Sequence, residues 1–381
     1  TGRPSSPTEG LMRENTTTSK MEFYDGSLWQ EITDTASTYV SGLIPSANFN
    51  TVLYPGTSST PTVITGVGFK PDFTWLKVRN NAWPHGLFSS QMPVYATTGG
   101  YEFMYSNATD ASTALWGSLQ FDNDGWSGLG GSYNGTFAHD FGASGYNYVS
   151  WNWKAGGAAT TISGVGTVNS DVSANTAAGF SIVSFTNGAS GTSTVAHGLG
   201  KIPEIIIMKQ TNASTNWVVY NANGGAGRTL VFNGNNAYSA DNASVQWGSV
   251  PTSTVFTVTN NSSLTNGSSP HIAYCWTSIP GYSKIGFYVG NLNSTGPIVY
   301  TGFKPAWLMI KSTGADNWIM LDNKRSTSNP RQAALFANLS DAEYPTYGAN
   351  VNFLDTGFQI VNTDGSTNAL GVTYIYMTFS E

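Results

Sequence analysis

The sequence predicts an all-β protein, an N-terminal β-hairpin module followed by three tandem, diverged β-sandwich repeats. The first observation behind this is composition. Of 381 residues only 10% are charged, while 40% are hydrophobic and 13% aromatic, with 12 Trp and 43 Gly. An average soluble domain carries roughly 25% charge, and long helices need Glu and Lys on their wet faces. A chain that uses Gly, Ser, Thr and Asn instead is built of strands and turns, and its aromatic content excludes disorder. The second observation is a sentence written three times: GFKPDFTWLK (68–77), GLGKIPEIIIMK (198–209) and GFKPAWLMIK (302–311). The third is that each copy is followed by an aromatic strand, YVSWNWK, IAYCWTS or TYIYMTF.

Taken from the N-terminus, RENTTTSKMEFYDGSLWQ reads as a strand into MRENT, a TTTSK turn, a strand MEFYD, a DGS turn and then LWQEI. The Asp-Gly dipeptide is a strong hairpin signal. About thirty residues cannot bury a useful core alone, which argues for association of this module with copies from other chains.

The repeated sentence has a physical reading. Aligned on Pro71, Pro203 and Pro305, the copies place Gly68, Gly200 and Gly302 three residues before and Lys77, Lys209 and Lys311 six after. Pro at the start of a strand gives up no ladder donor. The apolar runs FTWL, IIIM and WLMI suit a strand buried on both faces or one crossing a sandwich core, and the Lys is expected where the chain re-emerges into water. A Trp follows each copy at Trp83, Trp217 and Trp318. The segments LQFDNDGWS, PTSTVFTVT and VNFLDTGFQI precede the closing strands. Each unit spans about a hundred residues, the usual size of one β-sandwich. The expected division is 1–45 for an attachment or oligomerisation module, 46–157 for repeat 1, 158–177 for a flexible linker, 178–280 for repeat 2 and 281–381 for repeat 3.

Several function classes are excluded. The net charge is −6 without a basic run, so no nucleic-acid partner is expected. No apolar run approaches the ~20 residues of a membrane helix, so no membrane insertion is expected, and no signal peptide is legible. Cys275, the single cysteine, lies among apolar neighbours and is expected to be a packing residue. Among His85, His139, His197 and His271, only His139 has an adjacent acid, Asp140, and no HExxH is present. The DNDG at 122–125 lacks the ligand spacing of a calcium loop and reads as a turn. Gly128, Gly130 and Gly131 lack the Lys of a phosphate loop. Asp316, Asp322 and Asp355 do not recur between repeats as a glycosidase pair would. The sequons at Asn107, Asn212, Asn242 and Asn293 carry no weight in so Asn-rich a chain. No catalytic residue, no metal site and no cofactor is therefore expected, and the chain is read as no enzyme. Trp151, Trp153, Trp276 and Tyr376 are expected in the core. Trp83, Trp126, Trp247 and Tyr347, in turn-rich regions, are read either as packing or as glycan-stacking residues; no receptor-binding residue is assigned.

The segment RPSSPTEGLMRENTTTSKMEFYDGSLWQEI resembles a module common in tailed-phage fibre and other virion proteins. GFKPDFTWLK, GFKPAWLMIK and AYCWTSIPGYSKIGFYVGN resemble β-rich domains of fibre-like proteins from marine and other environmental phages. The resemblance implies a virion structural protein and supplies no functional residue. The expected function is a tail fibre anchored by its N-terminal module, its sandwiches presented to a host cell-surface receptor, with glycan the expected class. Expected partners are its own copies in a homotrimer and other virion proteins of tail or capsid. The expected location is the virion, the tail ahead of the capsid. Alternatives are a head fibre or capsid-decoration protein and, behind these, a polysaccharide depolymerase or a secreted lectin. No sustained heptad or short-period repeat supplies a slender shaft, so a fibre of this kind is short and beaded.

Overall fold

The computed structural model describes residues 12–15, 20–24, 29–31, 43–59, 61–114, 117–130, 141–238, 247–259 and 267–381. The chain divides into two compact units, Thr1–Gly42 and Leu43–Glu381. In the first, Met12–Asn15, Lys20–Tyr24 and Trp29–Glu31 form an antiparallel three-stranded meander, with Met12 opposite Phe23 and Glu22 opposite Glu31. The expected TTTSK and DGS turns fall outside the described residues.

The larger unit is all-β and states one topology three times. Repeat 1 has a five-stranded antiparallel sheet in the order Phe49–Pro55, Asn147–Trp153, Phe73–Val78, Gly86–Ser89, Phe103–Tyr105. Repeat 2 places Phe180–Thr186, Pro270–Trp276, Ile205–Gln210, Val218–Asn221 and Leu230–Val231 in the same order, and repeat 3 does so with Ser283–Val289, Thr373–Phe379, Trp307–Ser312, Ile319–Asp322 and Leu335–Phe336. A smaller sheet accompanies each: Thr62–Ile64, Gly125–Leu129 and Ser118–Asp122 in repeat 1, Thr192–Ala196 with Val255–Thr259 in repeat 2, and Ile298–Tyr300, Gly357–Ile360 and Val351–Leu354 in repeat 3. Each repeat is thus a sandwich with its own core, such as Leu76, Val78, Phe88, Phe121 and Trp126 in the first.

The repeated motif is explained residue by residue. Gly68, Gly200 and Gly302 all have positive φ, at 86°, 66° and 84°, a conformation a Cβ disfavours. The residue after each Pro, Asp72, Glu204 or Ala306, donates its N–H to the carbonyl of Trp153, Trp276 or Phe379 at 2.8–3.0 Å. The two acids also tie down the outgoing chain. Asp72 accepts from the amides of Ala155 and Gly157, and Glu204 from that of Ser278.

Both faces of each central strand are buried, and the second face makes the three repeats one body. Phe49, Phe73, Trp75, Trp151 and Trp153 of repeat 1, Phe180, Tyr274 and Trp276 of repeat 2, and Trp307, Met309 and Phe379 of repeat 3 form one continuous core. Ring contacts cross the repeat boundaries: Phe73 to Tyr274 at 4.5 Å, Phe49 to Phe379 at 5.3 Å, Trp153 to Trp307 at 5.6 Å and Phe232 to Trp318 at 5.0 Å. The expected string of beads is therefore corrected to a closed arrangement of three. A sheet apolar on both faces cannot leave one of them in water.

Equivalent tryptophans join repeat 2 to repeat 1 and repeat 3 to repeat 2 in the same sense. Trp217 Nε1 of repeat 2 donates to the Tyr105 carbonyl of repeat 1 at 2.9 Å, and Trp318 Nε1 of repeat 3 donates to the Val231 carbonyl of repeat 2 at 3.1 Å. In repeat 1 His85, not Trp83, holds the equivalent place by register, two residues before Leu87 as Trp217 stands before Val219. The backbone amides of these residues are capped alike, by Asn107 Oδ1 for His85, Asn233 Oδ1 for Trp217 and Asn338 Oδ1 for Trp318, at 2.8–2.9 Å.

Three further expectations are corrected. Residues 158–177 are no linker: Ser170–Asn175 pairs onto Phe180–Thr186 and Thr160–Ile162 onto Ser170–Asn175, extending the sheet of repeat 2 to seven strands. Small polar residues there supply alternation enough for an edge strand. Lys77, Lys209 and Lys311 do not re-emerge into water; all three are fully buried. Each folds its ammonium onto carbonyls: Val78 and Asn81 for Lys77, Thr109 and Thr215 for Lys209, Ser312 and Gly314 for Lys311. Tyr376 does not match Trp153 and Trp276. Phe379 pairs with Ser283 as those two pair with Phe49 and Phe180, and Tyr376 faces the core of its own repeat.

Two predictions follow from this packing. The 43–381 unit should unfold in a single transition, its calorimetric and van't Hoff enthalpies agreeing, and Trp153→Ala should destabilise all of it by about 3–5 kcal/mol. The second concerns pH. Burial pushes Lys77 down to about 7 and Lys209 and Lys311 to about 8, against about 10.4 in an unfolded chain. Between those values the unfolded chain holds protons the folded chain has released, so stability rises with pH across that window. His197 and His271, held at about 4 by burial, extend the same trend between about 4 and the free value near 6.5. Melting temperatures should therefore climb from pH 5 to pH 9.5, and Lys77→Met should flatten the alkaline part of the climb.

Candidate binding surface

The residues singled out for chemistry do not converge. His139 and Asp140 lie outside the described residues, as do Gly131 and Asn242. His197 accepts the Leu199 amide at Nδ1 and its Nε2 meets the Thr252 carbonyl at 3.1 Å. His271 stacks on Phe185 at 5.4 Å and its Nδ1 lies 2.8 Å from the Ser269 carbonyl. His85 accepts from Trp75 Nε1 at 2.9 Å, and burial, then Lys77, hold it well below its ordinary pKa. Cys275 is buried, and burial pushes its thiol up, away from the reactive thiolate.

In the DNDG turn, Asp124 accepts the amides of Gly66 and Gly68 at 3.0 and 2.6 Å, and Asp122 accepts from Ser127. Gly128 lies within Gly125–Leu129, the middle strand of the small sheet, with Gly130 just beyond. No group of metal-binding side chains occurs among the described residues. Asp316 caps the Asn317 amide, and Asp355 forms an exposed ion pair with Lys304. Asn107 is a backbone cap, and Asn212 and Asn293 bond within their own turns.

Of the four loop aromatics, Trp126 and Trp247 are buried in the cores of their own repeats and cannot stack on a ligand. Trp83 and Tyr347 are partly exposed, and each stands four residues after a member of the Arg79–Glu343 pair that joins repeats 1 and 3. The seam between these repeats is built on charge. Arg79 holds Glu343 with two parallel bonds of 2.8 Å, and its backbone carbonyl accepts the Glu343 amide at 2.6 Å. Glu343 also binds Arg325 at 3.2 Å, and Arg325 binds Asp322 at 2.5 Å. Asp322 in turn accepts from Trp151 Nε1 at 3.1 Å, while the Arg325 guanidinium lies 5.5 Å over the Trp151 ring. The side chains of Arg325 and Asp322 are fully buried, so each requires the other.

Aromatic pairs flank this network. Trp83 packs on Tyr146 at 4.4 Å. Asn80 ties that pair to the seam, bonding the Gly145 carbonyl and the Asn147 amide. On the other side Tyr344 and Tyr347 lie 5.9 Å apart, both edge-on to Phe336. Tyr344 is 43% exposed, and its hydroxyl binds Asp341 at 3.0 Å, which raises its pKa. The surface so formed offers ring faces beside amides and carboxylates, the chemistry that packs against a sugar ring and bonds its hydroxyls. Arg79 could not be singled out from sequence, because its partner Glu343 lies in another repeat; Tyr146 and Tyr344 meet partners within their own repeats and carry no sequence signal that sets them apart.

Fold and surface define an all-β protein of three repeats closed on one core, with a polar aromatic seam. A family model described as a domain of unknown function, DUF7483, matches residues 44–381, and the chain belongs to that family. The matched span is the larger compact unit, so the family comprises the three repeats together. No curated protein and no solved structure matches the chain.

Asp322→Asn should cost about 3 kcal/mol in urea unfolding, because it strands a buried guanidinium. Lys304→Ala, at the exposed pair, should leave the urea midpoint unchanged.

Proposed function

We propose that this chain is a structural protein of a phage virion, without enzymatic activity. In this reading it is a tail fibre whose N-terminal module (1–45) joins it to the particle and to its own copies. The three-repeat unit presents the seam between repeats 1 and 3 to a host-surface glycan. The observation that carries the glycan reading is that seam, where Trp83, Tyr146, Tyr344 and Tyr347 border amides and carboxylates held in place by the Arg79–Glu343–Arg325–Asp322 network. The virion reading rests on the resemblance of residues 3–32 and of the repeated motif to fibre-like proteins. Homotrimer formation is assigned to residues 1–45, since the inward faces of the larger unit already cover one another.

The closed shape of the larger unit favours a second reading, a head fibre or capsid-decoration protein, because three repeats on one core make a compact body and no shaft. Quantitative proteomics and imaging of purified particles decide between them. A few to a few dozen copies at the tail support the fibre, hundreds on the shell support decoration, and absence from the particle overturns both. On a glycan array the intact protein should bind at least one envelope polysaccharide. Tyr344→Ala combined with Trp83→Ala should weaken that binding at least tenfold without lowering the melting temperature by more than a few degrees.

A further inference from the structure

The outer edge of each five-stranded sheet is treated differently in the three repeats. In repeat 2 the edge strand Phe180–Thr186 is covered by the chain's own Ser170–Asn175, which runs antiparallel to it with Ser173 opposite Ile182 and Asp171 opposite Ser184. In repeat 1 the edge strand Phe49–Pro55 pairs on one side only and ends in Pro55, which has no N–H to offer. In repeat 3 the edge strand Ser283–Val289 pairs with Thr373–Phe379; on its outer side Ser283 alone is bridged, to Ile279, and the strand carries no proline.

The phase of this third edge is fixed. Gly290 N donates to the Val372 carbonyl at 2.9 Å, so in the alternation of an antiparallel pair Ile285, Phe287 and Val289 turn their backbone groups outward. The Ile285 amide is capped by Ser278 Oγ at 3.0 Å, which leaves the amides of Phe287 and Val289 open. Their side chains are 56% and 49% exposed, and Leu370, beside the Gly371 amide that binds the Gly290 carbonyl, is 71% exposed. An apolar, unblunted edge is what folded proteins ordinarily avoid. A groove of about 430 Å³ runs alongside, walled on its far side by Glu204, Asn221 and Asn223 of repeat 2.

We propose that Ile285–Val289 is an acceptor edge for one extended segment of a partner protein, added antiparallel as Ser170–Asn175 is added in repeat 2. The internal example sets the register. The donor residue at the place of Asp171 faces Phe287, and the one at the place of Asn169 faces Val289. Where repeat 2 sets Asp171 against Ser184, the donor for repeat 3 must be apolar, so the partner segment is an uncharged strand with apolar residues at alternate positions. The covering strand of repeat 2 is the precedent for a donor segment rather than for the edge of a second copy.

The test uses the full-length protein and a synthetic peptide of residues 168–177 carrying Asn169→Val and Asp171→Val. Saturable binding should be at least tenfold tighter than that of the unsubstituted peptide, and hydrogen exchange at the Phe287 and Val289 amides should slow at least tenfold on binding. Val289→Pro, which copies Pro55 of repeat 1, should abolish binding while leaving the melting temperature near that of the parent. Three results would overturn the proposal: no saturable binding, binding that leaves exchange at Phe287 and Val289 unchanged, or protection of those amides in the protein alone that grows with its concentration, which would assign the edge to a second copy.

Discussion

The structure depends on the inward face of its three five-stranded sheets. On that face Trp75, Trp151 and Trp153, Ile207, Tyr274 and Trp276, and Met309, Met377 and Phe379 stand in register-equivalent positions and pack into one core. None of these faces can be left in water, and none is covered by its own small sheet, which occupies the other side. Each repeat therefore completes its neighbours. Much of the remaining detail at the seams, from the ring of Trp217 and Trp318 hydrogen bonds to the buried lysines, serves to satisfy polar groups trapped when the three faces come together.

The lysines show how that constraint works. A strand that enters at Pro and leaves six residues later ends inside the assembly, where the loop that follows exposes carbonyls without partners. A long flexible ammonium can reach several of them at once, and Lys209 reaches both its own loop at Thr215 and repeat 1 at Thr109. The cost is desolvation of a cation, and the lowered pKa values record it. Lys77 and Lys311 hold carbonyls of their own loops, and each lysine has an acidic neighbour: Asp341 and Glu343 for Lys77, Asp110 for Lys209 and Asp316 for Lys311.

On this common frame the repeats have diverged where symmetry does not bind them. The seam between repeats 1 and 3 acquired an ion network and aromatic flanks. The edge of repeat 2 acquired a covering strand, that of repeat 1 a proline, and that of repeat 3 an apolar face. Divergence at equivalent positions separates what the fold requires from what a partner could use, and it places the polar aromatic seam and the open third edge in the second category.

The sequence by itself determined the all-β class, the threefold repetition and the strands that carry it. Gly three before Pro and an apolar run after it are local necessities: a positive φ, a strand start without a donor, and a buried ladder. It also determined that Trp151, Trp153 and Trp276 are core residues. Tertiary structure alone decided the rest. Whether the second apolar face of a strand meets solvent, a partner chain or another repeat depends on residues a hundred or more positions away, so the shared core was illegible, and with it the burial of the lysines. His85 holds the ring position by register, two residues before Leu87 as Trp217 stands before Val219 and Trp318 before Met320, and the covering strand at Ser170–Asn175 hides in a polar composition that reads as linker. The seam surface was illegible for the same reason: Arg79 and Glu343 lie 264 residues apart, and only closure of the ring brings them within hydrogen-bond distance.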